Sequence, residues 1–153
     1  EKCAYVVKEL GFDACVDYKA PGLFKQLQVA CPNGIDVDFE NVGGDIMDAV
    51  LAQMNLNGRV AVCGLISAYN ATEVPPGPKN FRSILVNRLR VQGLIVTDWV
   101  KRWPEGVRDL VQWHKDGKIK FKEDVRGGGL EAFADTLALL YTGGNFGKLV
   151  LKV

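Results

Sequence analysis

The side chains best suited to chemistry gather behind one apolar run. Arg59 to Leu65 (RVAVCGL) reads as a strand buried on both faces, and Cys63-Gly64-Leu65-Ile66-Ser67 ends it. A thiol and a hydroxyl there offer a nucleophile and a hydrogen-bond donor. Cys63 is a poor nucleophile, because no histidine lies near it in the sequence and a buried neutral thiol is inert. The one histidine, His114, continues the apolar face of Val107, Leu110 and Val111 at i+7, which marks a partly buried packing residue. Cys3, Cys15, Cys31 and Cys63 contain no C-x-x-C pair, so their spacing does not spell a structural zinc site.

A glycine-rich phosphate loop would be the next signature to seek. Gly127-Gly128-Gly129-Leu130-Glu131-Ala132 fits the letters of the dinucleotide fingerprint. It follows Lys118 to Arg126 (KIKFKEDVR), a charged segment instead of a buried strand, and reads as a turn before a helix. A true loop is expected before Glu1, which makes the chain read as a fragment.

The elements that must carry these residues follow from periodicity. Cys3, Val6, Val7 and Leu10 share a helix face that Gly11 closes. Ala14-Cys15-Val16 is a short strand candidate, and a helix runs through Leu23, Phe24 and Leu27. Ile35, Val37 and Phe39 alternate with Asp36 and Asp38, which predicts a strand. Gly43-Gly44 breaks it, Asp45 is a candidate cap, and Met47, Val50, Leu51 and Met54 continue as a helix. After the Asn57-Gly58 turn comes the strand at Arg59, then a polar, proline-rich loop from Asn70 to Asn80. A helix over Phe81 to Arg90, a buried strand over Val91 to Val96, a helix through Val107 to Val111, a helix from Leu130 to Tyr141 and a strand at Leu149 to Leu151 complete the series. Trp99, Trp103 and Trp113 are expected as core or interface aromatics.

Strands alternating with helices imply a mainly parallel sheet, doubly wound by right-handed crossovers, in an α/β fold. Ligands of such sheets lie outside the carboxyl ends of the strands. That places function at Asp17-Tyr18, Asn41-Val42-Gly43-Gly44, Cys63 to Ser67 and Ile95-Val96-Thr97.

Nineteen basic against eighteen acidic residues, with no long run of one sign, leave no electrostatic footprint for nucleic acid or an anionic membrane. No apolar stretch approaches the length of a membrane span, and the first residues lack the basic lead of a signal peptide. The expectation is a reduced, cytoplasmic protein without disulfides, nucleic-acid partners or membrane attachment.

Seven strings in order resemble one family. They are Glu1-Lys2-Cys3, Gly11-Phe12-Asp13, Asp17-Tyr18-Lys19, Gly34-Ile35-Asp36-Val37, Glu40-Asn41-Val42-Gly43-Gly44, Cys63-Gly64-Leu65-Ile66-Ser67-Ala68-Tyr69-Asn70 and Gly144-Asn145-Phe146-Gly147-Lys148-Leu149-Val150, and Pro75-Pro76-Gly77-Pro78 adds to them. Together they resemble the zinc-independent medium-chain dehydrogenase/reductases, specifically the NADPH-dependent alkenal/one reductases that include curcumin and prostaglandin reductases. The resemblance implies an incomplete Rossmann-like sheet. The substrate domain and the first strand-helix-strand unit would lie before Glu1. Residues 1–120 would belong to the nucleotide-binding domain, and 121–153 would be a return segment packing on the substrate domain.

The resemblance also implies roles. Lys2 would pair with the 2'-phosphate of NADP(H) and Tyr18 would lie at the same adenosine end. Asn41 would face the dinucleotide with Gly43-Gly44. Cys63, Gly64 and Ser67 would line the nicotinamide region, with Ile95 and Val96 (following Leu94) at the carboxamide and Asn145 and Gly147 reaching the cofactor from the C-terminal turn. Tyr69 would stand beside the nicotinamide ribose and the substrate carbonyl as the catalytic residue, and no metal is expected. The implied parent enzyme, a homodimer, transfers hydride from NADPH to the double bond of an enone or enal, whereas the chain by itself should be inactive. A quinone reductase of the same superfamily and a non-catalytic nucleotide-binding module are the alternatives. A zinc alcohol dehydrogenase resembles the chain less, and the absence of Y-x-x-x-K argues against a short-chain dehydrogenase.

Overall fold

Every strand pairing in this protein is parallel, as alternation of strands with helices requires. The computed structural model describes residues 1–153. In chain order the elements are α1 (Lys2–Lys8), α2 (Leu23–Ala30), β1 (Ile35–Glu40), α3 (Gly44–Leu51), β2 (Met54–Val62), α4 (Arg82–Val86), β3 (Arg90–Gly93), α5 (Trp103–Lys115), β4 (Glu123–Arg126), α6 (Phe133–Thr142) and β5 (Lys148–Leu151). Two units form by packing: residues Phe12–Lys101, and Glu1–Gly11 with Arg102–Val153. This grouping is a matter of contacts and is separate from the functional division expected at residue 120.

In the unit Phe12–Lys101 the sheet order is β1-β2-β3. The ladder runs from Val37 opposite Arg59 to Glu40 opposite Val62, then from Arg59 opposite Arg90 to Val62 opposite Gly93. The strands therefore end level with one another, at Glu40, Val62 and Gly93. Beneath them lies a small core of Val50, Leu51, Met54, Val60 and Leu89, flanked by Leu27, Ile35, Met47, Val62 and Ile84. Leu51 and Val60 are the most covered side chains. They come from α3 and the middle of β2, so burial of apolar area fixes that helix against that strand.

Several local expectations need correction. Ala14-Cys15-Val16 forms no strand, because no strand of this chain pairs with it and an extended segment becomes a strand only through a ladder. β2 begins at Met54, so Met54 leaves the α3 face and Asn57-Gly58 is absorbed into the strand. Asn57 manages this by taking φ 62°, a left-handed conformation asparagine tolerates, and its amide donates to the Asn87 carbonyl at 2.7 Å. Asp45 sits in the first turn of α3, but the cap position is Gly43 and no side chain caps it. β3 stops at Gly93 and its residues are exposed, since only β2 flanks it.

In the other unit, β4 and β5 form a two-stranded parallel ladder from Glu123 opposite Lys148 to Arg126 opposite Leu151. β4 lies inside the charged segment and gives no apolar alternation because most of it is exposed. Gly127 to Gly129 consequently does follow a strand and precede a helix. The Glu131 carboxylate lies against Gly129, however, and a negative group there opposes phosphate binding. α6 ends at Gly143, whose φ of 70° and ψ of 21° are the left-handed stop expected of a glycine cap. His114 is exposed, with its ring 4.7 Å from that of Phe121. The three tryptophans are not core residues, for each is close to half exposed.

Candidate functional site

Glu40 is the last residue of β1 and is only 3% exposed. Its carboxylate accepts the backbone amides of Val42 and of Gly43, the latter at 3.0 Å. Two free amides and one buried charge thus satisfy each other, which folds the chain back at the strand end. Gly43 then takes φ 76° and ψ −159°, a region open essentially to glycine alone. Four backbone bonds stitch this turn to the exit of β2. The Glu40 carbonyl accepts from Cys63 at 2.8 Å and Gly64 at 3.1 Å, the Asn41 carbonyl from Ile66 at 3.1 Å, and the Val42 carbonyl from Ser67 at 3.0 Å.

The exit of β2 makes a short 3₁₀ turn, Ile66–Ala68, which returns Tyr69 over Gly64. The Tyr69 hydroxyl accepts the Leu65 amide at 3.3 Å. A Cβ on Gly64 would stand 3.1 Å from that hydroxyl and 3.3 Å from the Asn41 carbonyl. Three expected site residues, Asn41, Gly64 and Tyr69, therefore converge, and the missing side chain of Gly64 is what allows it.

Beside them opens a cavity of about 460 Å³, lined by Val62, Cys63, Gly64, Leu65 and Tyr69 from one strand end and by Gly93, Leu94, Ile95 and Asp98 from the next. Its volume falls in the range of small-molecule clefts. A second cavity of about 340 Å³ shares Leu65 and is lined by Gly43, Gly44, Ser67 and the loop Pro75 to Lys79. That loop is tied down by Asp48, which is buried and accepts the Asn80 amide at 2.8 Å.

The structure thus gathers Asn41, Cys63, Gly64, Ser67, Tyr69 and Ile95 at adjoining strand ends. Val96 follows at 60% exposure. Cys63 is exposed and not buried, because β2 ends at Val62, so the burial expected to make its thiol inert is absent. Tyr18 sits in an exposed turn beside Asp17 and Lys19 and lines neither cavity. Lys2, Asn145 and Gly147 belong to the other unit. There the Lys2 ammonium donates to the Gly143 carbonyl at 2.8 Å, and the Asn145 amide to the Gly147 carbonyl at 2.9 Å.

Sequence reasoning missed Glu40 and Asp98. Glu40 was available as the acidic residue closing an alternating strand just before Gly43-Gly44. The alternation misleads, for Val37 and Phe39 are more than half exposed while Asp38 and Glu40 share the covered side. Asp38 Oδ2 is sealed without a hydrogen-bond partner. Desolvation, and secondarily the charge of Glu40, raises the Asp38 pKa from 3.8 to about 6.

Comparison with known proteins identifies the family and the fold. The family model described as zinc-binding dehydrogenase matches residues 1–113. The NADPH-dependent curcumin reductase of Escherichia coli is 45% identical over all of this chain and 46% of its own length. The 2-alkenal reductase (NADP(+)-dependent) of Nicotiana tabacum is 40% identical over all of this chain and 44% of its own. The crystal structure of CurA in complex with NADPH from Vibrio vulnificus superposes with a TM-score of 0.89 at 42% identity, covering 99% of this chain and 46% of that one. The chain spans a little under half the length of these relatives, and its fold is that of their NADP-binding, Rossmann-like domain with an incomplete sheet.

Proposed function

Because the chain belongs to the zinc-binding dehydrogenase family, we propose that it is the NADP(H)-binding part of an oxidoreductase acting on the carbon–carbon double bond of an enone or enal. The observation that carries the proposal is the convergence of Asn41, Gly64 and Tyr69 beside the cavity at the ends of β2 and β3. The names of the relatives, a curcumin reductase and an alkenal reductase, support the substrate class.

The strand-end residues fit such a cofactor. Gly43 and Gly64 let the chain's own turns pack closely at the strand ends, and the cavity beside them is apolar except for Cys63, Tyr69 and Asp98. When bound, NADPH supplies the hydride that goes to the β-carbon, and a proton completes the reduction at the α-carbon. This balance needs no metal, in keeping with the zinc-independent branch that the sequence resembles. Tyr69 is poised for the electrostatic part. The Leu65 amide occupies one lone pair of its oxygen, which leaves the phenolic proton to donate to a carbonyl oxygen as negative charge develops there. Lys2, Tyr18, Cys63, Ser67, Ile95, Val96, Asn145 and Gly147 keep in this proposal the cofactor contacts that the resemblance implies. The boundary at residue 120, a homodimeric assembly and a cytoplasmic location belong to the same proposal. None of the four cysteines is in a disulfide, and no helix is long and apolar enough to cross a membrane.

The test is turnover of the full-length gene product with NADPH and a panel of enones, enals and quinones. Tyr69→Phe should lower enone turnover while leaving NADPH affinity nearly unchanged. Unchanged turnover on several enones would remove Tyr69 from the chemistry, and reduction of quinones alone would replace the proposal with a quinone reductase.

A further inference from the structure

In the unit that contains both chain termini, the C-terminal turn Gly143 to Gly147 meets α1 through two contacts. Lys2 Nζ donates to the Gly143 carbonyl at 2.8 Å, which uses one of its three protons. One helical turn along, the ring of Tyr5 packs edge-on against that of Phe146, with centroids 5.1 Å apart at 80°. Phe146 is itself held from behind. Its amide donates to Asp124 Oδ2 at 2.9 Å, and Asp124 is clasped by Arg126 at 2.7 and 2.9 Å. Lys122 Nζ lies 3.7 Å from the Phe146 ring centroid, a cation on the opposite charge of the ring face. Tyr5 and Phe146 are partly buried, whereas Lys2 is exposed. A long exposed lysine loses much rotamer freedom when fixed, so what fixes it matters to how well it meets an anion.

We infer that Tyr5 and Phe146 are positioning residues for Lys2: their ring pair holds the Gly143 carbonyl where it pre-orients the Lys2 ammonium toward the cofactor's 2'-phosphate. The inference rests on the proposal that Lys2 meets that phosphate. It adds that cofactor preference is set partly by two uncharged residues, one on α1 and one on the C-terminal turn. Because neither ring carries charge, a loss confined to the phosphate-bearing cofactor must pass through a cation that the rings position. Lys122 also lies over both rings, so passage through Lys2 requires that Phe146→Ala add nothing to the loss of Lys2→Ala in the double variant.

The experiment is fluorescence titration of the full-length gene product with NADPH and NADH, alongside thermal melting, for Lys2→Ala, Phe146→Ala, the double variant of these two, Phe146→Tyr and Tyr5→Leu. The expected result is a selective loss for NADPH in Lys2→Ala. Phe146→Ala and Tyr5→Leu should each lower the NADPH-to-NADH preference by about three- to tenfold, the span of one hydrogen bond's net contribution. Phe146→Tyr, which keeps the ring, should restore it. If Phe146→Ala does not fold, Tyr5→Leu carries the test. Equal losses for both cofactors in the ring variants, or no change in preference while Lys2→Ala lowers it, would overturn the inference and leave the role of Lys2 standing. An unchanged preference in Lys2→Ala would instead remove the role of Lys2, and the inference with it.

Discussion

The carboxylate of Glu40 holds the amide of Gly43 at 3.0 Å across the end of the first strand. Because the same oxygen also takes the Val42 amide, one buried side chain determines where the Asn41 carbonyl points, and through it the path of the chain at Ile66. Glu40→Ala leaves two covered donors unmatched and should cost about 1–3 kcal/mol of stability. Glu40→Gln keeps an acceptor of the same shape and should cost less. Both should weaken NADPH binding in the full-length gene product, in the same order. Melting curves and a cofactor titration check this, and an alanine variant as stable as the parent would mean that the turn closes without the carboxylate.

Asp38 predicts a dependence on pH. Its folded-state pKa of about 6 lies above the ordinary value of 3.8, so the native state keeps the proton where the unfolded chain has lost it. The native state is therefore favoured below about pH 4, and this advantage is lost progressively as the pH rises through about 6. Asp38→Asn cannot lose that proton. Its melting temperature relative to the parent should be nearly constant below pH 4 and should rise between pH 4 and 7. A difference that stays flat across that range would show that Asp38 titrates normally.

Gly64 predicts a steric outcome. A methyl group there would press on the Tyr69 hydroxyl at 3.1 Å and on the Asn41 carbonyl at 3.3 Å, closer than ordinary contact. The phenol can swing away more easily than the backbone, so Gly64→Ala should displace Tyr69 first. Turnover of the full-length gene product should fall at least as far as in Tyr69→Phe, with a stability cost of about 1–3 kcal/mol for the overpacking. A variant with the parent's turnover would show that the position of Tyr69 over Gly64 is not needed for the reaction.

The parts of the fold that were legible are those where burial enforces a period. Met47, Val50 and Leu51 share the face of α3, and Val60 is buried in the strand expected from Arg59, although that strand ends at Val62 and, with Arg59 exposed, is not buried on both faces as expected. Where burial is slight the period fades. β4 could not be seen because its residues face solvent, and β3 was placed too far along because its neighbour lies on one side only. β1 was legible as a strand while its covered side was not. Hydrogen bonding to backbone amides, not hydrophobicity, is what draws Glu40 inward. Tyr69 and Gly64 were nameable from the strand-end rule and the family strings, whereas their contact depends on a 3₁₀ turn at Ile66–Ala68 that no periodicity announces.

Trp99, Trp103 and Trp113 all lie within one stretch of fifteen residues and are 44–47% exposed, while the strand-end residues around Asn41, Gly64 and Tyr69 include no indole. The molecule's ultraviolet emission is therefore a local signal. It should be red-shifted and open to a soluble quencher even in the folded protein, and it reports on the segment from Trp99 to Trp113. Reduced nicotinamide absorbs where indoles emit, so cofactor arriving at the strand ends would register as energy transfer from Trp99, which follows the cavity wall Leu94, Ile95 and Asp98 in the same unit.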